Sequence, residues 1–132
     1  DPAVGKDVVS VFVRKALSKE SILVKGGNKF RDFVHVNDVA KTICTLTFSN
    51  GSNDKVLNVG TGRRMTLREI ADIVKGFFPT LETFSEKAAD DGTGIVADVK
   101  RLKELVNFMP IDPSEGIRNH VSSYANRGEG RS

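Results

Sequence analysis

Between Lys25 and Ala40 the chain packs a glycine turn, an arginine entering a short β-type run and a polar helix start into sixteen residues, the most informative stretch of the sequence. Gly26-Gly27-Asn28 is a turn cluster, with glycine supplying backbone angles closed to other residues. Phe30 to Val36 is rich in β-branched and aromatic side chains and favours extended structure. Its alternation of Phe30, Asp32 and Val34 against Arg31, Phe33 and His35 is too mixed to decide a face. Asn37 can then cap a helix whose first turn carries Asp38, a carboxylate suited to the positive end of the helix dipole. Val39, Ala40, Ile43, Cys44, Leu46 and Phe48 are the buried side expected of that helix.

Helices and short extended runs also alternate on either side. Asp7 caps a helix whose apolar side chains, Val8, Val9, Phe12, Val13, Ala16 and Leu17, recur at helical spacing. Ser21 to Lys25 is a short β-type run. After the polar cluster from Ser49 to Asp54, Lys55 to Val59 reads as a compact strand stopped by Gly60 and Gly62. Thr66-Leu67-Arg68-Glu69 is a capping box ahead of Ile70, Ala71, Ile73, Val74, Phe77 and Phe78, and Pro79 closes that helix. Thr80 to Gly94 carries little pattern, and Asp90, Asp91, Gly92 and Gly94 point to an exposed loop. Ile95 to Ala97 is extended, and Asp98 caps a short helix bearing Val99, Leu102, Leu105 and Val106. Asp112-Pro113-Ser114-Glu115 opens a last helix with Ile117, Val121 and Tyr124 on its apolar face. This pattern specifies an α/β domain, or α+β as an isolated fragment, with too few strands for a full doubly wound sheet. Two of the strands fit a larger sheet contributed from outside the chain. Residues 1–125 are expected to form one domain and 126–132 a flexible tail, and the opening Asp1-Pro2 reads as the start of a fragment, a processed product or an excised domain.

With 132 residues, 39% of them hydrophobic and 28% charged, the chain has enough material for one soluble core. No apolar run approaches the roughly 20 residues that span a bilayer, and no signal-peptide pattern opens the chain. Cys44 is the single cysteine, so it forms no internal disulfide and is expected as a small buried hydrophobe. One cysteine and two separated histidines argue against a metal site, and a lone thiol suits a reducing, cytoplasmic compartment. A net charge of +3, interspersed along a chain with no tryptophan and one tyrosine, argues against nucleic-acid binding. A phosphate-bearing small molecule needs only a few cations.

Arg31 is the strongest candidate for such a contact. Its planar guanidinium can hold two phosphate oxygens with a fixed fork of donors, and it begins an extended segment next to a turn. The alternative is a surface arginine paired with Asp32 or a nearby acid. His35 lacks an implied nucleophile partner and reads as structural, and Asp38 reads as a helix-start carboxylate. Gly60-Thr61-Gly62 is not a dinucleotide fingerprint, because a third glycine is missing and Arg63-Arg64 occupies the region where the backbone must approach closely.

Arg31-Asp32-Phe33-Val34-His35-Val36, with Asn58-Val59-Gly60-Thr61-Gly62 further on, resembles the substrate-binding C-terminal portion of the NAD-dependent nucleotide-sugar epimerases and dehydratases. This is the extended short-chain dehydrogenase/reductase family, and the likeness to its UDP-glucose 4-epimerase type runs from about Val8 to Tyr124. The resemblance makes Arg31 the phosphate contact and lays Ile22-Leu23-Val24-Lys25-Gly26 along the nucleotide base, with Leu23 and Lys25 as backbone contacts. Lys25 stands where the family often has a stacking aromatic. The family's Arg-x-Gly-Asp arginine is absent, so Lys87 is the nearest cation, while Asp91 matches an acid that contacts a ribose hydroxyl. Ala97-Asp98 matches a helix opening, and Phe108 replaces a tryptophan.

The same resemblance implies a nucleotide-sugar partner, UDP-sugar or related, and NAD in the parent enzyme, bound mainly by residues absent from this chain. Catalysis in the family uses a tyrosine-lysine pair that exchanges a proton with a sugar hydroxyl while a hydride moves to the nicotinamide. That pair and the cofactor-binding half are expected upstream. No Tyr-x-x-x-Lys occurs here, since Tyr124 is followed by Ala-Asn-Arg-Gly. No catalytic, cofactor-binding or metal-binding residue is therefore assigned, and the chain is expected to be inactive alone. An oligomer is compatible with the full-length protein. Epimerase, dehydratase and decarboxylase are not separated, and a non-catalytic ligand-binding module or a structural fragment remain alternatives.

Overall fold

The computed structural model describes residues 7–51, 53 and 55–129. In chain order its elements are α1 (Val8–Leu17), β1 (Ile22–Lys25), β2 (Phe30–Arg31), α2 (Val36–Thr47), β3 (Met65–Thr66), α3 (Leu67–Phe77), β4 (Thr83–Glu86), β5 (Gly94–Ile95), α4 (Lys100–Leu105) and α5 (Pro113–Glu129). The mixed class read from the sequence is the class observed.

The caps behave as their chemistry requires. Asp7 accepts from the Ser10 backbone N–H at 3.0 Å and so satisfies a donor that α1 leaves orphaned. At α3, Thr66 Oγ1 accepts from the Glu69 N–H at 3.2 Å while Glu69 accepts from the Thr66 N–H at 2.7 Å, a complete capping box. Asp112 accepts from the Ser114 N–H at 3.0 Å at the start of α5. These helices aim their apolar stripes at one another. Phe12, Val13 and Ala16 of α1, Ile70, Ile73 and Val74 of α3, and Ile117 and Val121 of α5 form the core, together with Ile22 and Val24 from the inner face of β1.

Two small sheets flank this core. β1 pairs in parallel with β4, Ile22 opposite Thr83 and Lys25 opposite Glu86. β2 lies between β3, which is antiparallel to it, and β5, which is parallel. β4 falls in the stretch that carried no readable pattern. Its residues Phe84 to Glu86 are all exposed, so no inward-outward alternation exists to read, and backbone pairing alone defines the strand.

Several sequence expectations are corrected. α2 does not bury the face assigned to it: Ala40, Ile43, Cys44 and Phe48 are exposed, and Val39 and Leu46 are only half-buried. It packs through Asp38 and Thr42 instead, which are 5% and 4% exposed. The Asp38 carboxylate accepts from the Ile111 N–H at 2.9 Å, tying the helix to the segment before α5. Its cap is His35 rather than Asn37, with the imidazole Nδ1 accepting from the Asn37 N–H at 3.2 Å. Lys55 to Val59 is not paired as a strand. Asp98 accepts from the Lys100 N–H, but the residue flanking α4 is Val99. α5 runs on to Glu129, into the segment read as a tail. Residues 52 and 54 of the polar cluster and 130–132 of the tail lie outside the described residues.

Candidate functional site

The Gly26-to-Arg31 turn and the 87–93 loop are built against each other. Gly26 has a φ of +69°, and its carbonyl accepts from the Lys29 N–H at 2.9 Å, closing the turn. Asp91 then accepts from the Asn28 backbone N–H at 2.8 Å and from its side-chain amide at 3.2 Å. Lys29 Nζ lies 2.7 Å from Asp90 Oδ1. The hydrogen bond from Lys29 holds the Asp90 carboxyl below its ordinary range, and the charges of Lys29 and Arg31 add to the effect. Arg31 ends β2 on the surface, with Nη1 donating to the Phe30 carbonyl at 2.7 Å. This is the one side-chain hydrogen bond of Arg31 among the described residues, and most of the guanidinium fork faces solvent.

β1 presents Leu23 and Lys25 outward, opposite Phe84 and Glu86. Lys25 Nζ sits 3.7 Å from Glu86 Oε1, an exposed pair that contributes little. The backbone is the more informative feature. Ile22 donates to the Glu82 carbonyl at 2.9 Å and Gly26 to that of Glu86 at 2.8 Å, so alternate residues of β1 turn toward β4. Leu23 and Lys25 consequently direct their N–H and C=O groups to the opposite edge, where no strand pairs among the described residues. Lys87 follows β4 directly and is exposed. Leu23, Lys25, Arg31, Lys87 and Asp91 thus surround one structural unit, the end of β1 with its turn and the loop that clamps it.

Asp32 was expected at most as a partner for Arg31, yet it organises the neighbourhood. Its carboxylate accepts from the Thr61 hydroxyl at 2.6 Å and from the backbone N–H groups of Thr61 at 2.8 Å, Gly62 at 2.9 Å and Ala97 at 3.2 Å. Partial burial pulls its pKa upward, but these bonds together outweigh that effect and hold it below the ordinary carboxylate value. Gly60 is required beside it, because a Cβ there would meet Ala97 Cβ at 2.6 Å and Asp32 Oδ2 at 2.7 Å. The only sequence trace of this hub is a glycine turn whose N–H groups need an acceptor. The same geometry tests the turn as a cofactor cradle, and it does not fit. The N–H groups of Thr61 and Gly62 that a pyrophosphate would require are spent on Asp32, and the space above Gly60 is filled by the chain itself.

A separate groove of about 270 Å³ runs between α1, residues 33–36 and the start of α5, lined by Val9, Phe33, His35, Ile111, Pro113 and Ile117 among others. None of the candidate binding residues lines it. Among the described residues no group of three or more His, Cys, Asp or Glu side chains can hold a metal ion, and no helix is long and apolar enough to cross a membrane.

Residues 2–60 match the family described as the NAD dependent epimerase/dehydratase family. Over 125 residues the chain is 34% identical to a Methanocaldococcus jannaschii protein named "Putative UDP-glucose 4-epimerase", covering 92% of this chain and 40% of that protein. It is 30% identical over 123 residues to UDP-glucuronic acid decarboxylase 1 of Danio rerio, covering 91% of this chain and 29% of the relative. In fold it is similar to the UDP-glucose 4-epimerase of Thermotoga maritima crystallised with UDP-glucose, at a TM-score of 0.79 and 24% identity, over 96% of this chain and 42% of the other. The chain thus spans two-fifths or less of the curated relatives just described.

Proposed function

We propose that this chain, which belongs to the NAD dependent epimerase/dehydratase family, forms the nucleotide-sugar-binding part of an enzyme of UDP-glucose 4-epimerase type. One observation carries the reading: an exposed Arg31 guanidinium stands on a turn clamped by Asp90 and Asp91, beside a β1 edge whose backbone groups are open. Arg31 supplies bidentate donors to a diphosphate, at the cost of its bond to the Phe30 carbonyl. Leu23 and Lys25 offer the base a row of donors and acceptors, as an edge strand offers them to any extended partner. Lys87 and Asp91 stand on the loop opposite, the first as a second cation and the second for a sugar hydroxyl, once its hold on Asn28 is shared. The names of the relatives support the ligand class and include both an epimerase and a decarboxylase, so the proposal stays at nucleotide sugars.

In this reading NAD is held mainly by residues outside this chain, where it supplies hydride transfer to the parent enzyme. The chain alone binds weakly and turns nothing over.

Calorimetric titration of the purified chain with UDP-glucose tests the reading. Saturable binding is expected, accompanied by a stabilisation of about 1 kcal/mol or more when ligand is well above its dissociation constant. Arg31→Ala should weaken the affinity by about tenfold or more, the value of a lost charged contact. If the chain and Arg31→Ala respond identically to millimolar UDP-glucose, Arg31 is not the anchor. Turnover of any UDP-sugar with added NAD would overturn the expected inactivity.

A further inference from the structure

Two dipeptides of the chain, Asn50-Gly51 and Asp91-Gly92, place a glycine nitrogen directly after a side chain whose Cγ it can attack to close a succinimide ring. Glycine favours that attack because no Cβ shields its nitrogen or restricts its backbone. Both glycines sit at positive φ, +92° at Gly51 and +86° at Gly92. Both are exposed, and a Cβ built on either would meet nothing within 4 Å. The two backbones are alike, and the difference lies in the grip on the preceding side chain. Asp91 is half-buried, and it accepts from the Asn28 N–H at 2.8 Å through Oδ1 and from the Asn28 amide at 3.2 Å through Oδ2. Rotating its Cγ toward the Gly92 nitrogen breaks both bonds. Asn50 is exposed, two residues beyond Phe48 at the C-terminal cap of α2. Among the described residues its side chain makes no hydrogen bond.

We infer that Asn50-Gly51 is a self-modification site of the folded chain, where the asparagine converts to aspartate and isoaspartate, and that Asn28 guards Asp91-Gly92 against the corresponding isomerisation. At the first site the Gly51 nitrogen bonds to the Asn50 Cγ and the Cγ–Nδ2 bond breaks. Nδ2 leaves as ammonia, taking the proton of the Gly51 N–H. Water then opens the ring at either carbonyl. One opening leaves a normal peptide bond and a side-chain carboxylate; the other routes the main chain through Cγ and frees the α-carboxylate. Nothing is oxidised or reduced. Either product adds a negative charge just past α2, whose last turn carries no basic residue to meet it. That sign is unfavourable at the carbonyl end of a helix, so the modification loosens the last turn of α2. At Asp91 the same ring closure expels water and ring opening takes it back. An isoaspartate there lengthens the backbone of the loop that clamps the Gly26 turn, which is what the hold of Asn28 prevents. The inference stands apart from nucleotide-sugar binding at Arg31.

The test is peptide mapping by mass spectrometry of the full 132-residue chain, incubated at mildly alkaline pH either folded or unfolded in guanidinium chloride. Comparing folded with unfolded rates at each site cancels the intrinsic difference between an amide and a carboxyl group. The two rates should be close at Asn50. At Asp91 the folded rate should be about tenfold below the unfolded one, the value of the two hydrogen bonds that must break first. Asn50→Gln should lose the modification on the same timescale, because the longer side chain closes its ring slowly. Gly51→Ala should slow it by about tenfold, since a Cβ then shields the attacking nitrogen. Asn28→Ala frees Asp91 Oδ2 and should raise isoaspartate at position 91 of the folded chain while the Asn50 rate stays unchanged. A rise at that one position separates a lost guard from a general loss of folding. Three results overturn the inference: folding slows both sites equally; Asn50 outlasts the other asparagines in the folded chain; or Asn28→Ala, with native circular dichroism, leaves position 91 as slow as before.

Discussion

α2 and α3 are written in the same language and used in opposite ways. Both are amphipathic, and a side chain caps each of them. α3 turns Ile70, Ala71, Ile73 and Val74 into the core, where α1, α5 and β1 meet it. α2 turns Asp38 and Thr42 inward and leaves Ile43 and Cys44 in solvent. Amphipathic spacing therefore says which face of a helix is apolar; whether the same chain supplies something to cover that face is a separate fact.

Core substitutions should break the symmetry of the two helices most sharply. Ile70→Ala, at a fully buried position of α3, is expected to cost about 2–5 kcal/mol in denaturant unfolding of the purified chain. Ile43→Ala on α2 should change stability by no more than about 0.5 kcal/mol. Equal losses at the two positions would mean that α2 is packed in solution.

Asp32 is the next largest effect, since it ties β2 to the turn at Thr61-Gly62 and to Ala97. Asp32→Ala leaves several N–H groups without an acceptor and is expected to cost on the order of 2–3 kcal/mol. Its folded pKa lies below the unfolded value, so its contribution is complete above about pH 4 and is lost as the pH falls through the folded value. The acid limb of a Tm-versus-pH curve should accordingly be shallower in Asp32→Ala than in the parent chain. Thr66→Ala, which opens the capping box of α3, should cost about 1 kcal/mol. Cys44 gives the smallest effect: Cys44→Ser should be neutral within about 0.5 kcal/mol, and the thiol should react with alkylating reagents without prior unfolding.

Much of the fold was legible in local chemistry. Asp7, the Thr66-Glu69 box and Asp112 mark their helix starts because a capping side chain bonds within its own turn. β4 was missed because it is exposed, and exposed strands carry no alternation. The candidate site was legible only in pieces. Arg31 stood out by residue type and by resemblance, whereas Asp32, its neighbour, gave no sign that it would accept bonds from Thr61, Gly62 and Ala97, far along the chain. Nothing local reports which distant N–H a carboxylate will meet.

The sequence by itself determined the helices, the caps of α1, α3 and α5, the Gly26 turn and the family resemblance, because each of these rests on neighbours in the chain or on a motif read in order. Only the tertiary structure decided that Asp32 is a hub, that Leu23 and Lys25 lie on an open edge, and that the apolar face of α2 points outward. Those facts depend on which surfaces meet in space. Asp38 of α2 accepts from the Ile111 backbone N–H, 73 positions away in the chain, and the side of the helix that carries Asp38 and Thr42 is the buried one.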